Sequence, residues 1–123
     1  MIFDSLFNRV IGCAIEVHRE LGPGLLETTY QACLAHELSR EGIRFVLEHP
    51  MPVAYKGVFL ECGYRLDVLV EDQLILELKA VEEILGIHEA QILTYLKLAK
   101  LKTGLLINFN VPTLKQGIKR FVL

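Results

Sequence analysis

A chain of 123 residues, 52% of them apolar, can bury a core without disulfide or metal staples and is too apolar to be disordered. No apolar run approaches the roughly 18 residues of a membrane helix, so no membrane partner is expected. The net charge of −2 hides a split: residues 1–89 hold all 15 acids and seven of the 13 Lys and Arg, while residues 90–123 hold the other six and no acid. That split suits phosphates held beside a cation site, or equally the wet faces of a helix and a strand.

The N-terminal stretch repeats apolar residues at helical spacing (Phe3, Leu6, Phe7, Val10, Ile11, Ala14, Ile15, Val17, Leu21), which predicts a helix over 3–21. Asp4, Arg9, Glu16, Arg19 and Glu20 interrupt it, so it does not read as a signal peptide. Gly22-Pro23-Gly24 stops the helix, and a second is expected from about Leu26 to Arg40. Residues 43–60 are β-rich, with a turn at Tyr55-Lys56-Gly57. Tyr64–Val70 and Leu74–Ala80 read as a hairpin around 71–73, Ile87–Leu101 as a third helix, and Gly104–Phe109 and Gly117–Val122 as two more strands. The order is α-α-β-β-β-β-α-β-β, a mixed α/β or α+β sandwich forming one domain over 1–123. Cys13, Cys33 and Cys62 are odd in number and far apart, which points to a reduced, cytoplasmic protein.

The hairpin carries the most information. Leu66, Val68 and Val70, then Leu74, Leu76 and Leu78, occupy one row; Arg65, Asp67, Glu77 and Lys79 fall in the other. A three-residue loop would set Asp67 across from Glu77 and Arg65 across from Lys79, and a one-residue slip would push an apolar row into the polar face. Two opposed carboxylates repel unless a cation or proton lies between them. A divalent ion such as Mg²⁺ takes carboxylates, waters and phosphate, and Lys79 on the same face could orient a water. A wet strand pair, with Arg65 and Lys79 balancing the acids, remains the alternative. On the helices, Glu27, Tyr30, Gln31 and Leu34 share one face, and His88, Gln91, Tyr95 and Lys102 another. Glu27 could also simply complement its helix dipole.

Other chemistries find no support. There is no CxxC, P-loop or Ser-His-Asp set, and Cys13 and His18, five apart on a helix, read as core and surface. No helix-turn-helix, zinc-finger or aromatic-rich RNA motif is present.

Gly24-Leu25-Leu26-Glu27-Thr28-Thr29-Tyr30 resembles the signature of the GxxExxY family. Tyr64-Arg65-Leu66-Asp67, followed by Glu77-Leu78-Lys79, resembles the D…ExK core of the PD-(D/E)XK nuclease superfamily, with Leu66 where the superfamily name puts Pro. Gln91-Ile92-Leu93-Thr94-Tyr95 resembles the QxxxY element that follows that core, and the ending 117–122 is also GxxExxY-like.

The resemblance implies a restriction-endonuclease-like core: a central mixed β-sheet flanked by helices. It implies a nuclease hydrolysing phosphodiester bonds with Mg²⁺ or Mn²⁺, and nucleic acid, DNA foremost, as partner. By the same resemblance Asp67 and Glu77 would bind the metal, the Leu78 carbonyl would be a further ligand, and Glu27 would reach it directly or through water. Lys79 would position the attacking water and Gln91 would orient Lys79 or a phosphate, with Tyr30 and Tyr95 packed behind them. Lys97, Lys100 and Lys102 are the expected nucleic-acid contacts. The rival readings are a non-catalytic nuclease-fold module that binds nucleic acid or protein, and a small structural subunit. The sequence leaves a homo-oligomer open.

Overall fold

The structure is a computed structural model describing residues 2–123, with side chains from Ser5 onward; Phe3 of the expected apolar stripe therefore lies outside the described side chains. Two helices come first, α1 (Ile2–Leu21) and α2 (Glu27–Arg40). Five strands follow: β1 (Phe45–Pro50), β2 (Val53–Tyr55), β3 (Val58–Leu60), β4 (Arg65–Val70) and β5 (Leu74–Lys79). Then come α3 (Gly86–Ala99), β6 (Thr103–Asn108), a 3-10 turn (Leu114–Gly117) and β7 (Ile118–Val122).

The stretch 43–60 yields three strands where two were expected. Pro52 offers no N–H to continue β1, and the chain leaves the sheet at Met51, whose N–H bonds the Tyr64 carbonyl. β2 and β3 then pair only with each other, through a tight turn with Lys56 and Gly57 both at positive φ.

The main sheet runs β1-β4-β5-β6-β7. Only β5 and β6 are parallel, and α3 makes the crossover between them. One sheet face carries Val68, Val70, Leu74, Leu76, Leu78, Leu105 and Ile107, covered by Val10, Ala14 and Val17 of α1 and Tyr30, Leu34 and Leu38 of α2. On the other, Leu69, Ile75, Leu106 and Phe121 meet Ile92, Tyr95 and Leu96 of α3. Gly104 permits that approach: a Cβ there would lie 2.9 Å from Ile92 Cδ1. The result is a mixed α+β fold with a five-stranded sheet between helical layers, consistent with a restriction-endonuclease-like core.

Two expectations need correcting. Leu66 does not share the core of Val68 and Val70; it packs in the α3-side cluster with Met51. The strand pleat is interrupted beside it, where Glu48 on the paired strand β1 takes φ 52. His18 is buried rather than on the surface: its Nε2–H donates to the Val111 carbonyl at 2.8 Å, tying α1 to the segment after β6. Among the described residues, no helix is long and apolar enough to cross a membrane.

Candidate active site

The site begins where the β4–β5 ladder stops. Val70 pairs with Leu74, Leu69 with Ile75 and Val68 with Leu76, the register expected from the three-residue loop. Beyond that pair the strands exchange backbone bonding for side-chain bonding. The Leu78 N–H donates to Asp67 Oδ2 at 2.8 Å, and the Asp67 N–H reaches Glu77 Oε1 at 3.5 Å. Asp67 and Glu77 therefore meet, but not as a ladder pair. Arg65, expected across from Lys79, instead pairs with Pro50 and reaches the Glu48 carbonyl, because the chains have already parted at Asp67.

The electrostatics of the pair are unfavourable for two anions. Glu77 is 4% exposed, and burial, followed by the neighbouring Asp67 charge, pushes its carboxyl up to about 8. Asp67 is raised as well, chiefly by burial and then by Glu48 and Glu27; the Leu78 N–H and the Lys79 ammonium pull it back down. Among the described residues neither carboxylate forms an ion pair. Ionised together, they call for a cation.

A small cleft of about 60 Å³ opens beside them, lined by Glu27, Thr28, Gln31, Glu48, Asp67 and Leu78. Glu27 is the first residue of α2, and the Gly-Pro-Gly turn before it sets the entry angle, with Gly22 and Gly24 at φ 68 and 98. Tyr30 secures that turn: its hydroxyl donates to the Gly22 carbonyl at 2.6 Å and accepts the Leu25 N–H at 3.2 Å, while its ring stacks on Phe109. Gln31 donates to the Asp67 carbonyl at 2.9 Å and to Glu48 Oε1 at 3.3 Å. Neither Gln31 nor Glu48 stands out as a site residue in the sequence. Gln31 lies on the Glu27 face, which was the available clue; Glu48 arrives by long-range strand pairing.

Lys79 is half-buried and lines a separate groove of about 650 Å³ with Val53, Tyr64, Ile87, Gln91 and Tyr95 among others. Gln91 does not bond Lys79; its Nε2 donates to the Tyr95 hydroxyl at 3.1 Å. Tyr95 sits close enough to the acids that burial and then the Glu77 charge raise its phenol. Asn108, opposite Lys79 on β6, holds the chain that leaves β5. Its Oδ1 accepts the Val81 N–H and its Nδ2 donates to the Val81 carbonyl, while the Phe109 N–H bonds the Lys79 carbonyl.

Lys97, Lys100 and Lys102 are exposed but are not brought to either cleft. They cluster where α3 ends and β6 begins, and the start of β6 pairs with the start of β5, away from Glu77 and Lys79.

Among the described residues, no group of three or more His, Cys, Asp or Glu closes on a common point. A cage made wholly of protein ligands is therefore a poor match. A hard ion held by two carboxylates that keeps its own waters fits the donor set. The cleft also has room for an ion with a water or two, a water's share of liquid being about 30 Å³.

Compared with known proteins, residues 4–121 match the family model described as the PD-(D/E)XK nuclease superfamily. No curated protein and no solved structure gives a significant match.

Proposed function

The chain belongs to the PD-(D/E)XK nuclease superfamily, and from that premise we propose that it is a Mg²⁺- or Mn²⁺-dependent nuclease that hydrolyses phosphodiester bonds, with DNA as its substrate. The observation that carries this reading is the Asp67–Glu77 pair. Two carboxylates near enough for the charge of Asp67 to raise Glu77, one almost fully buried and neither in an ion pair, are an unfavourable arrangement when both are ionised, and a divalent cation relieves it. A packing role gives no reason for that arrangement.

In this proposal Asp67 and Glu77 hold the ion, with Glu27 and the Leu78 carbonyl reaching it from the cleft walls. Bound there, the ion supplies a water of lowered pKa and neutralises phosphate charge. Asp67 carries a second duty, since its Oδ2 fixes the Leu78 backbone. Lys79 directs its ammonium at the attacking water or the scissile phosphate, a point-charge role suited to lysine. Gln91, anchored on Tyr95, contributes a polar contact to the nucleotide rather than steering Lys79. The Gly24–Tyr30 segment supports narrower membership of the GxxExxY group, because Tyr30 builds the turn that presents Glu27.

The test is incubation of the purified protein with labelled single-stranded, duplex and branched DNA and RNA in Mg²⁺, Mn²⁺ or EDTA. Cleavage of DNA that requires the metal is expected. No cleavage of any substrate, together with no metal-induced change in melting temperature, overturns the proposal.

A further inference from the structure

The Lys79 groove is unlike the acidic cleft beside it. Its walls are apolar and aromatic: Val53 from the β2–β3 hairpin, Tyr64 just before β4, and Ile87 and Tyr95 from α3. Tyr64 is half-exposed, and Tyr95 braces its ring edge-on with centroids 6.1 Å apart. Ile87 is 70% exposed, which is unusual for an isoleucine whose only duty is packing. The groove also presents polar atoms. His88 Nδ1 accepts the Leu85 N–H, so the neutral ring carries its proton on Nε2. Gln91 spends its amide N–H on Tyr95, which leaves Oε1 as an acceptor, and the Thr94 hydroxyl lies on the same wall.

The surroundings are short of the charge that a long duplex would need. Glu27, Glu48, Asp67 and Glu77 crowd the catalytic side, and Lys97, Lys100 and Lys102 stand at the other end of the sheet. Proteins that hold unpaired strands combine a basic contact to the backbone, here Lys79, with sequence-independent stacking of bases on aromatic rings.

Resting on the nuclease reading, we propose that this groove is a base subsite: an unpaired nucleotide next to the scissile phosphate lays its base on Tyr64, between Val53 and Ile87, with its edge toward His88, Gln91 and Thr94. Lys79 lines this groove and its ammonium acts on the charges of both Asp67 and Glu77, so a strand whose base enters the groove brings its phosphate toward the carboxylates. The substrate class is therefore single-stranded, or locally unpaired at the cut, and not continuous duplex.

Two measurements test it. The first is cleavage, with Mn²⁺, of single-stranded against fully paired oligonucleotides by wild type, Tyr64→Ala, Tyr64→Phe and Ile87→Ala. Wild type should prefer the single strand. Tyr64→Ala and Ile87→Ala should raise its KM, Tyr64→Ala by about tenfold or more, and Tyr64→Phe should restore it. The second is quenching of 2-aminopurine fluorescence in a single-stranded oligonucleotide, with the metal removed by EDTA, which reads stacking without cleavage. Quenching by wild type and Tyr64→Phe, lost in Tyr64→Ala, supports the subsite even if nothing is cut; in that case the nuclease reading fails alone. Metal-dependent cleavage that treats both substrates alike and is indifferent to Tyr64 and Ile87 overturns the subsite and leaves the nuclease standing. Ile87→Ala guards against misfolding, because its side chain is mostly in solvent.

Discussion

Asp67 Oδ2 accepts the Leu78 N–H at 2.8 Å, so one carboxylate both faces Glu77 and replaces a strand-to-strand bond at the point where β4 and β5 part. The two duties can be separated by substitution. Asp67→Asn keeps an acceptor for Leu78 and removes the charge. It should abolish cleavage and leave urea stability unchanged or slightly improved. Asp67→Ala leaves a buried N–H unsatisfied and should lose cleavage together with about 1–3 kcal/mol. Equal stability of the two variants would show that the bond does not support the strand end.

The raised Glu77 carboxyl gives the metal-free protein a characteristic pH dependence. Its proton is held up to about 8 in the folded chain, against an ordinary 4.5 once unfolded. Between those limits the folded state binds a proton that the unfolded state has released. The stabilisation is complete below the unfolded value and is lost as pH rises through about 8. Asp67, also raised, acts in the same direction. In EDTA the melting temperature should therefore fall between pH 5 and 8.5, by roughly 5 °C or more. Glu77→Gln should flatten that slope. A melting temperature that climbs with pH in this range would contradict the buried acid pair.

Tyr30 acts through the turn that it holds. Tyr30→Phe keeps the stack on Phe109 and deletes both hydroxyl bonds, to Gly22 and from Leu25. A stability loss of about 1 kcal/mol is expected. If the turn positions Glu27, kcat should also fall severalfold with little change in KM. A stability loss with unaltered kcat would reduce Tyr30 to packing.

The basic end of the molecule makes a separate prediction. Neutralising Lys97, Lys100 and Lys102 to Gln should weaken binding of a long single strand and flatten its salt dependence, by about 0.7 in log–log slope per lost phosphate contact. A short oligonucleotide confined to the two clefts should bind as before, because these lysines sit at the opposite end of the sheet. A short oligonucleotide that loses affinity equally would mean that the strand runs along α3.

The parts legible in the sequence are those set by local periodicity. Alternation at Leu74, Leu76 and Leu78 against Val68 and Val70 fixed the β4–β5 register, because a one-residue slip would carry one row from the face under α1 and α2 to the face under α3. Gly22 and Gly24 marked the helix stop and adopt the positive φ that such a stop requires. What escaped depends on long-range pairing. Glu48 lies in a strand with no charge pattern and reaches the cleft only because β1 pairs with β4 around Asp67. Asn108 holds the exit from β5 because β6 returns parallel beside it, a pairing that no short motif encodes. The strand break at Met51-Pro52 carried its signal in Pro52, but the neighbouring apolar residues masked it.

Glu77→Gln and Lys79→Ala together separate a catalytic site from a wet surface. Glu77→Gln preserves shape and removes one charge of the pair. It should abolish metal-dependent cleavage and, in EDTA at pH 8, raise the melting temperature, since the repulsion with Asp67 is gone. Lys79→Ala should also lose cleavage, yet it removes no oxygen ligand, so a metal-induced rise in melting temperature should survive it. If the acids merely faced solvent, both substitutions would shift stability by well under about 1 kcal/mol and divalent ions would change nothing. The near-complete burial of Glu77 already makes that outcome hard to reconcile with the fold. The deciding measurement is melting temperature with and without Mg²⁺ or Mn²⁺ for the wild type and both variants, alongside cleavage. A metal shift present in wild type and Lys79→Ala but absent in Glu77→Gln locates the ion at the pair, even where the substrate is not yet in hand. A shift that persists in Glu77→Gln places the ion elsewhere and removes Glu77 from its coordination.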